Sequence, residues 1–555
     1  MAYLSKNTVK GIDYWRIVES RREGNKVRQV TLDYIGNTKK LSARLLSGQS
    51  KPVSLRSYSC GAERALMAVA LRLGVVDVLN ECLGAKKRDG IDRGTTLLLA
   101  SIQRALDPGS KRGFARWFEN TVLPTDLGID PKAMTSQHFW EQMDGISQEK
   151  LERAEDIIGA KALRAWDVSL ERLALDYTNY YTFIATTNEH TEIARRGHNK
   201  QKRDDLRQYS LAVVVSKDLG IPLFSHVYEG NTNDSLAFRD YLGVLAKRMP
   251  DTDPKEITLV FDGGSVTKEN LDGLCYHYVA GFSLSCAKAL YDIPKSDFRQ
   301  TVISSGAKVD AYRIEKEIWG RTRTCVLTLS ESLLAGQVRG FEADIQKATC
   351  ALDELAEKLK NPRSRIDKDA GSLAQRVDAI LGSRHVKEVV LTEVADGYVG
   401  YTVDDDIKAT VAEKYFGKKL IVTDRSDWST EEIIGAYREQ DCVEKVFRDT
   451  KDSRHFSIQP TYHWTDQKIR VHVFVCLLGL VLASVLHKEL TSHGINISKD
   501  AMLDELQYIR EGWIVERWDS GRSGNSIKGS NTTVKKMIED MSPLQSQLWE
   551  MVLKL

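Results

Sequence analysis

The sequence predicts an α/β protein: a core on a mixed sheet, an inserted β-rich segment, and before them a β-hairpin unit and a helical region. Three observations carry this. Between Leu173 and Cys286, β-branched and aromatic runs alternate with amphipathic ones in the order βββαβαβ. From about 60 to 160 apolar residues recur at spacings of three and four, as in AERALMAVALRLGVVDVL. At 555 residues the chain is longer than one hydrophobic core usually serves.

Taken in order, residues 1–48 hold two alternating runs, IDYWRIVESRR and KVRQVTLDYIG, joined by EGN, which predicts a hairpin. Residues 49–162 form the helical region, expected to bind DNA. Residues 163–286 open the core: LALDYTNYYTFI is a strand, QYSLAVVVSKDLGIPLFSHVYEG two strands around Asp-Leu-Gly, SLAFRDYLGVLAKRM a helix and ITLVFDGG a buried strand. A second helix (VTKENLDGLCYH) and a further strand (YVAGFSLS) complete the order. Residues 287–418 read as a β-rich insertion with one charged helix. The core resumes over 419–490 from KKLIVTD, and 491–555 is expected to be helical.

Composition narrows the classes. Apolar residues at 42% and charged residues at 28%, with 11 prolines, describe a folded chain rather than a disordered one. The net charge of +2 means that nucleic-acid binding must come from local patches. Eight cysteines without a CxxC pair argue against a zinc site or disulfide framework and suit a cytoplasmic protein. The apolar run Val471–Leu486 is shorter than a membrane span and contains His472, so it is expected to be a buried helix, with no membrane partner.

Three antiparallel strands followed by alternating helix and strand are the ribonuclease-H-like order, in which the first and fourth strands are neighbours. That adjacency would bring Asp176, inside the first strand, and Asp262, ending the fourth, to one edge although 86 positions separate them. A helix starts at Ser429 with Glu432 three residues on, a capping box. On it Tyr437, Glu444 and Lys451 are spaced by seven, so each returns to within about 20° of the last. Gln440 and Arg448 flank the same stripe. Two Asp and one Glu can hold the paired hard cations of two-metal phosphodiester cleavage, Mg²⁺ or Mn²⁺, while Arg448 and Lys451 grip phosphate.

YREQDCVEKVFRDTK resembles the Y-x2-R-x3-E-x6-K signature of a large group of bacterial insertion-sequence transposases of the DDE type. Tyr437, Glu444 and Lys451 match; Gln440 stands at the arginine position, with Arg438 or Arg448 as substitutes. LDYTNYYTF, GIPLFSHVYEGNTND, FDGGSVTKENL and IQPTYHWTDQKIRVHVFVCLLG are similar to the same group, and Asp262-Gly263-Gly264 lacks its usual basic residue. The resemblance implies Asp176, Asp262 and Glu444 as catalytic metal ligands. Water would cut at each element end and the freed 3′-hydroxyl would attack target DNA, with a homodimer holding double-stranded terminal inverted repeats.

Other readings stand beside these. A lone Asp in a strand is ordinarily an edge residue, and Asp167 in RAWDVSLE competes for the first position without strand context. Most basic runs are solvated faces; the run containing Lys200 and Arg203 follows the first catalytic strand and is the one expected to touch DNA. Trp319 is a core residue or stacks on a flipped base. GRSGNSIKGS lacks Walker spacing. Rival functions are another ribonuclease-H-like nuclease, an inactive transposase-derived DNA-binding protein, and a tyrosine recombinase, for which no Arg/His cluster is evident.

Overall fold

The computed structural model describes residues 2–23, 26–47, 51–197, 203–217, 220–249, 252–518 and 531–555. They divide into two compact units. One comprises Met1–Gly74, Lys87–Gln142 and Leu486–Leu555, the other Val75–Lys86 and Met143–Val485.

The larger unit is built on a nine-stranded sheet. Its strands are β1 (Arg172–Tyr181), β2 (Gln208–Ser216), β3 (Pro222–Glu229), β4 (Thr258–Phe261), β5 (His277–Phe282), β6 (Arg299–Val302), β7 (Lys308–Ile318), β8 (Arg321–Leu329) and β9 (Lys418–Thr423). They lie in the order β6-β7-β8-β9-β5-β4-β1-β2-β3. The first three are antiparallel, while β4 runs parallel to both β1 and β5. Every residue of β2 and of β4 is buried, as near-continuous apolar runs require of central strands. Between β3 and β4 lies helix α1 (Asp234–Arg248), whose N-cap Asn233 accepts from the Ser235 amide.

The β-rich insertion expected over 287–418 is corrected by this topology. Residues 299–329 supply β6, β7 and β8, which extend the main sheet, and β8 pairs with β9. The segment from Glu331 to Tyr415 is mainly helical: a 30-residue helix Glu331–Lys360, three shorter helices and one hairpin, Val390–Ala395 with Tyr398–Val403. It has its own core of Phe341, Ile345, Leu352, Leu373, Val377 and Val411. A period of two fixes which side chains share a face, not which neighbour a strand pairs with.

The smaller unit begins with a three-stranded sheet, Ala2–Val9, Ile12–Glu23 and Lys26–Asn37, one strand more than the sequence predicts; the Gly24–Asn25 turn lies outside the described residues. The C-terminal region expected to be helical carries two strands, Arg510–Trp518 and Asn531–Ile538. The first of these pairs with Lys51–Ser59, a contact between distant parts of the chain that no local pattern reveals. The stretch around Gly521 lies outside the described residues.

In this unit Glu63, in the first turn of Gly61–Arg72, is 1% exposed and accepts from Ser59 Oγ at 2.9 Å. Burial pushes its carboxyl up to about 7, against the smaller opposing effects of backbone and Ser59 hydrogen bonds. A raised folded pKa gives stability that is complete below the unfolded value near 4.5 and lost as pH rises through about 7. Glu63→Gln is therefore expected to flatten this unit's urea stability between about pH 5 and about pH 8, removing a fall on the order of 3 kcal/mol. An unchanged pH slope in the variant would count against the assignment.

The helix Asp466–Ser492 is long and apolar enough to cross a membrane, yet 94% of its most apolar stretch is buried inside the protein. It is the core helix that the sequence indicates.

Candidate active site

β1 and β4 pair with Val260 opposite Ala174, and carrying that register two residues further sets Asp262 level with Asp176. Asp262 leaves the end of β4 exposed, while Asp176 is half-buried inside β1. Alternation along β1 puts Ala174, Asp176, Thr178 and Tyr180 on one face.

Two helices approach this sheet edge. α2 (Thr430–Arg438) starts at Ser429, whose hydroxyl accepts from the Glu432 amide while the Glu432 carboxylate accepts from the Ser429 amide, the reciprocal cap that the sequence predicts. α3 (Asp441–Asp449) follows. The single helix expected through Lys451 is thus two. At Glu439 and Gln440 the chain tightens to three-residue hydrogen bonds, Gln440 N–H to Tyr437 O and Val443 N–H to Gln440 O. Glu439 accepts there from Arg172 at 3.1 Å and from Lys217, tying the junction to β1 and the end of β2.

Tyr437 stays at the centre of the arrangement. Its ring is 5% exposed and its hydroxyl donates to Asp262 Oδ1 at 3.0 Å. Its pKa is pushed well above the ordinary phenol value, first by burial, then by the charge and hydrogen bond of Asp262, then by the charges of Glu444 and Asp176. One phenol therefore feels all three carboxylates, which come from β1, β4 and α3. Gly281 of β5 makes room for it: a Cβ there would press into the Tyr437 hydroxyl and lie 2.8 Å from Asp262 Oδ1.

The cations are placed unequally. Lys451, just past α3, donates to Thr178 Oγ1 at 2.6 Å and sits 5.4 Å from the centre of the Tyr180 ring, so it covers the face of β1 that carries Asp176. Arg448 is exposed on α3, as is Arg438 on α2. Gln440 is 7% exposed as a whole residue. Arg203 forms a two-pronged pair with Asp205 and lies 5.7 Å from the Tyr181 ring, while Lys200 lies outside the described residues. Trp319 (φ 53°) and Gly320 (φ 77°) make the two-residue turn between β7 and β8, and the indole packs on Phe282 at 5.6 Å. Asp167, the competitor for the first carboxylate, is exposed in the turn after the helix Gln148–Ala165 and is not in the sheet.

Asp234 carries no motif that singles it out in the sequence. It opens α1, and its Oδ2 lies 3.7 Å from where a Cβ on Gly264 would stand, two residues past Asp262. Asn270 ties these segments together, donating to Ser235 O at 2.8 Å and Ser265 O at 2.9 Å. The available signal was the Asn-Asp pair in GNTND, a helix start directly after a strand.

Among the described residues no three His, Cys, Asp or Glu side chains stand close enough together to cage a metal ion. The donors are nonetheless hard carboxylate oxygens, and magnesium typically takes one or two carboxylates, with water and substrate phosphates completing its shell.

No curated protein matches the chain. Among solved structures, the cryo-EM structure of a piggyBac transposase synaptic complex with hairpin DNA aligns at a TM-score of 0.35 and 8% identity, over 80% of this chain and 79% of that one. The family model described as the transposase DDE domain matches residues 182–482, more than half of the length, and includes Asp262, Tyr437 and Glu444. The chain belongs to the DDE-domain transposase family.

Proposed function

We propose that this transposase hydrolyses phosphodiesters at the ends of a mobile DNA element and joins the freed 3′-hydroxyls to target DNA, with Asp176, Asp262 and Glu444 holding divalent metal, Mg²⁺ or Mn²⁺. The observation that carries the reading is the Tyr437 hydroxyl, on α2, which donates to Asp262 at the end of β4, level with Asp176 on the neighbouring strand. The strand order β3-β2-β1-β4-β5, with β1 and β4 adjacent, supports a ribonuclease-H-like core.

Metal ions, when bound, activate the attacking oxygen and stabilise the leaving one. The chain's own part is placement. Tyr437 holds one oxygen of Asp262 and leaves the other for a ligand. Lys451 is held by Thr178 on the face of Asp176, where its ammonium can take a non-bridging phosphate oxygen. Exposed Arg448 adds a second phosphate contact. The signature positions Tyr437, Glu444 and Lys451 favour a bacterial insertion-sequence enzyme; its action on terminal inverted repeats as a homodimer, in the cytoplasm, is part of the same proposal.

Linear duplex carrying the sequences that flank the gene is expected to be nicked by the purified chain with Mg²⁺ and left intact with EDTA. Nicking that is indifferent to EDTA would reject the metal-dependent reading; a 3′-phosphotyrosyl adduct would replace it with recombinase chemistry.

A further inference from the structure

β9 opens with two lysines of opposite fate. Lys418 points inward, 5% exposed, and donates to the carbonyls of Tyr291 at 3.0 Å and Ile293 at 2.7 Å. Lys419 emerges on the other face, exposed, with Nζ 4.4 Å from the centre of the Tyr437 ring. The register explains the position. Ile421 pairs with Gly281, and β9 runs antiparallel to β5, so the step from Ile421 to Lys419 passes Gly281 toward the edge where Asp262 leaves the sheet. Among the described residues Lys419 forms no ion pair.

We propose that Lys419 is a DNA-phosphate-binding residue of the active site, supplying beside Tyr437 the cation that buried Gln440 does not. The inference rests on the proposed function. Asp176, Asp262 and Glu444 together bring three negative charges to a place that must also receive a phosphodiester, and like charges repel unless cations are interleaved. Lys451 covers the β1 side. On the Tyr437 side the ammonium held over the ring is Lys419, seated on a phenol that itself donates to Asp262. An aromatic face attracts a cation without neutralising it, so the charge stays available to phosphate.

The test is the salt dependence of binding to linear duplex carrying the gene-flanking sequences, measured in EDTA so that no cutting intervenes. Each phosphate contact contributes about 0.9 to the slope of log affinity against log salt. Lys419→Gln is expected to reduce that slope by about one and to weaken binding at low salt, whereas Lys419→Arg keeps the slope. Lys347→Gln, an exposed lysine on the long helix Glu331–Lys360, is expected to change neither. An unchanged slope in Lys419→Gln, or an equal loss in Lys347→Gln, overturns the inference while leaving the proposed function intact if wild type still nicks with Mg²⁺. Absence of metal-dependent nicking by wild type sinks both.

Discussion

Asp176→Ala, Asp262→Ala and Glu444→Ala are each expected to abolish Mg²⁺-dependent nicking, by roughly 10³-fold or more, while duplex binding is kept or strengthened. The size reflects groups that act as a unit: losing one member of a joint centre costs about as much as losing several. The sign on binding comes from charge. Each substitution removes a carboxylate from a place that receives phosphate, so affinity in EDTA should not fall. Nicking and strand transfer read the first effect, filter binding the second. Asp167→Ala, exposed in a turn outside the sheet, should nick like wild type. Survival of cutting in any of the three variants would remove that carboxylate from the assignment.

Gly281→Ala is expected to have the next largest effect, from a single methyl group. The position adopts no left-handed backbone angle, so alanine is conformationally allowed and the obstacle is space alone. The added Cβ would press into the Tyr437 hydroxyl, with Tyr437 Cζ at 3.0 Å and Asp262 Oδ1 at 2.8 Å. Tyr437 is buried in one core cluster with Val279, Ile421, Ile433 and Ile434, which limits its room to retreat. Overpacking of this kind costs about 1–3 kcal/mol, and here any relief must separate the Tyr437 hydroxyl from Asp262. Nicking should therefore drop together with thermal stability. Tyr437→Phe in the same chain removes the atom nearest the new methyl, so the double variant should recover stability relative to Gly281→Ala without recovering full activity. Simple additivity of the two stability losses would show that the methyl and the hydroxyl do not meet.

Much of the site was legible because the relevant chemistry is local. The Ser429/Glu432 cap and the strand character of LALDYTNYY and ITLVFDGG depend on neighbours within a turn or a few residues, whereas the seven-residue spacing of Tyr437, Glu444 and Lys451 presumed one helix where there are two. The helix break at Glu439–Gln440 escaped for the same reason in reverse. Its anchors, Arg172 and Lys217, belong to the β1 and β2 region, more than 200 residues earlier. On a helical wheel Gln440 shares the stripe of Glu444, and only packing shows that the residue is 7% exposed.

The sequence by itself determined the strands and helices from Arg172 to Phe282, with the faces their side chains share, and nominated three carboxylates as candidate metal ligands, because backbone geometry sets side-chain direction within a few residues. Tertiary structure alone decided that β4 lies beside β1, that residues 299–329 extend the main sheet rather than forming a separate domain, and that Lys51–Ser59 pairs with Arg510–Trp518. It also decided that Gly281 leaves room for Tyr437 and that Lys419 faces the site while Lys418 is buried. The physical reason is that a strand's choice of partner, and the space between partners, come from which apolar surfaces meet across long stretches of chain, a quantity that no local period records.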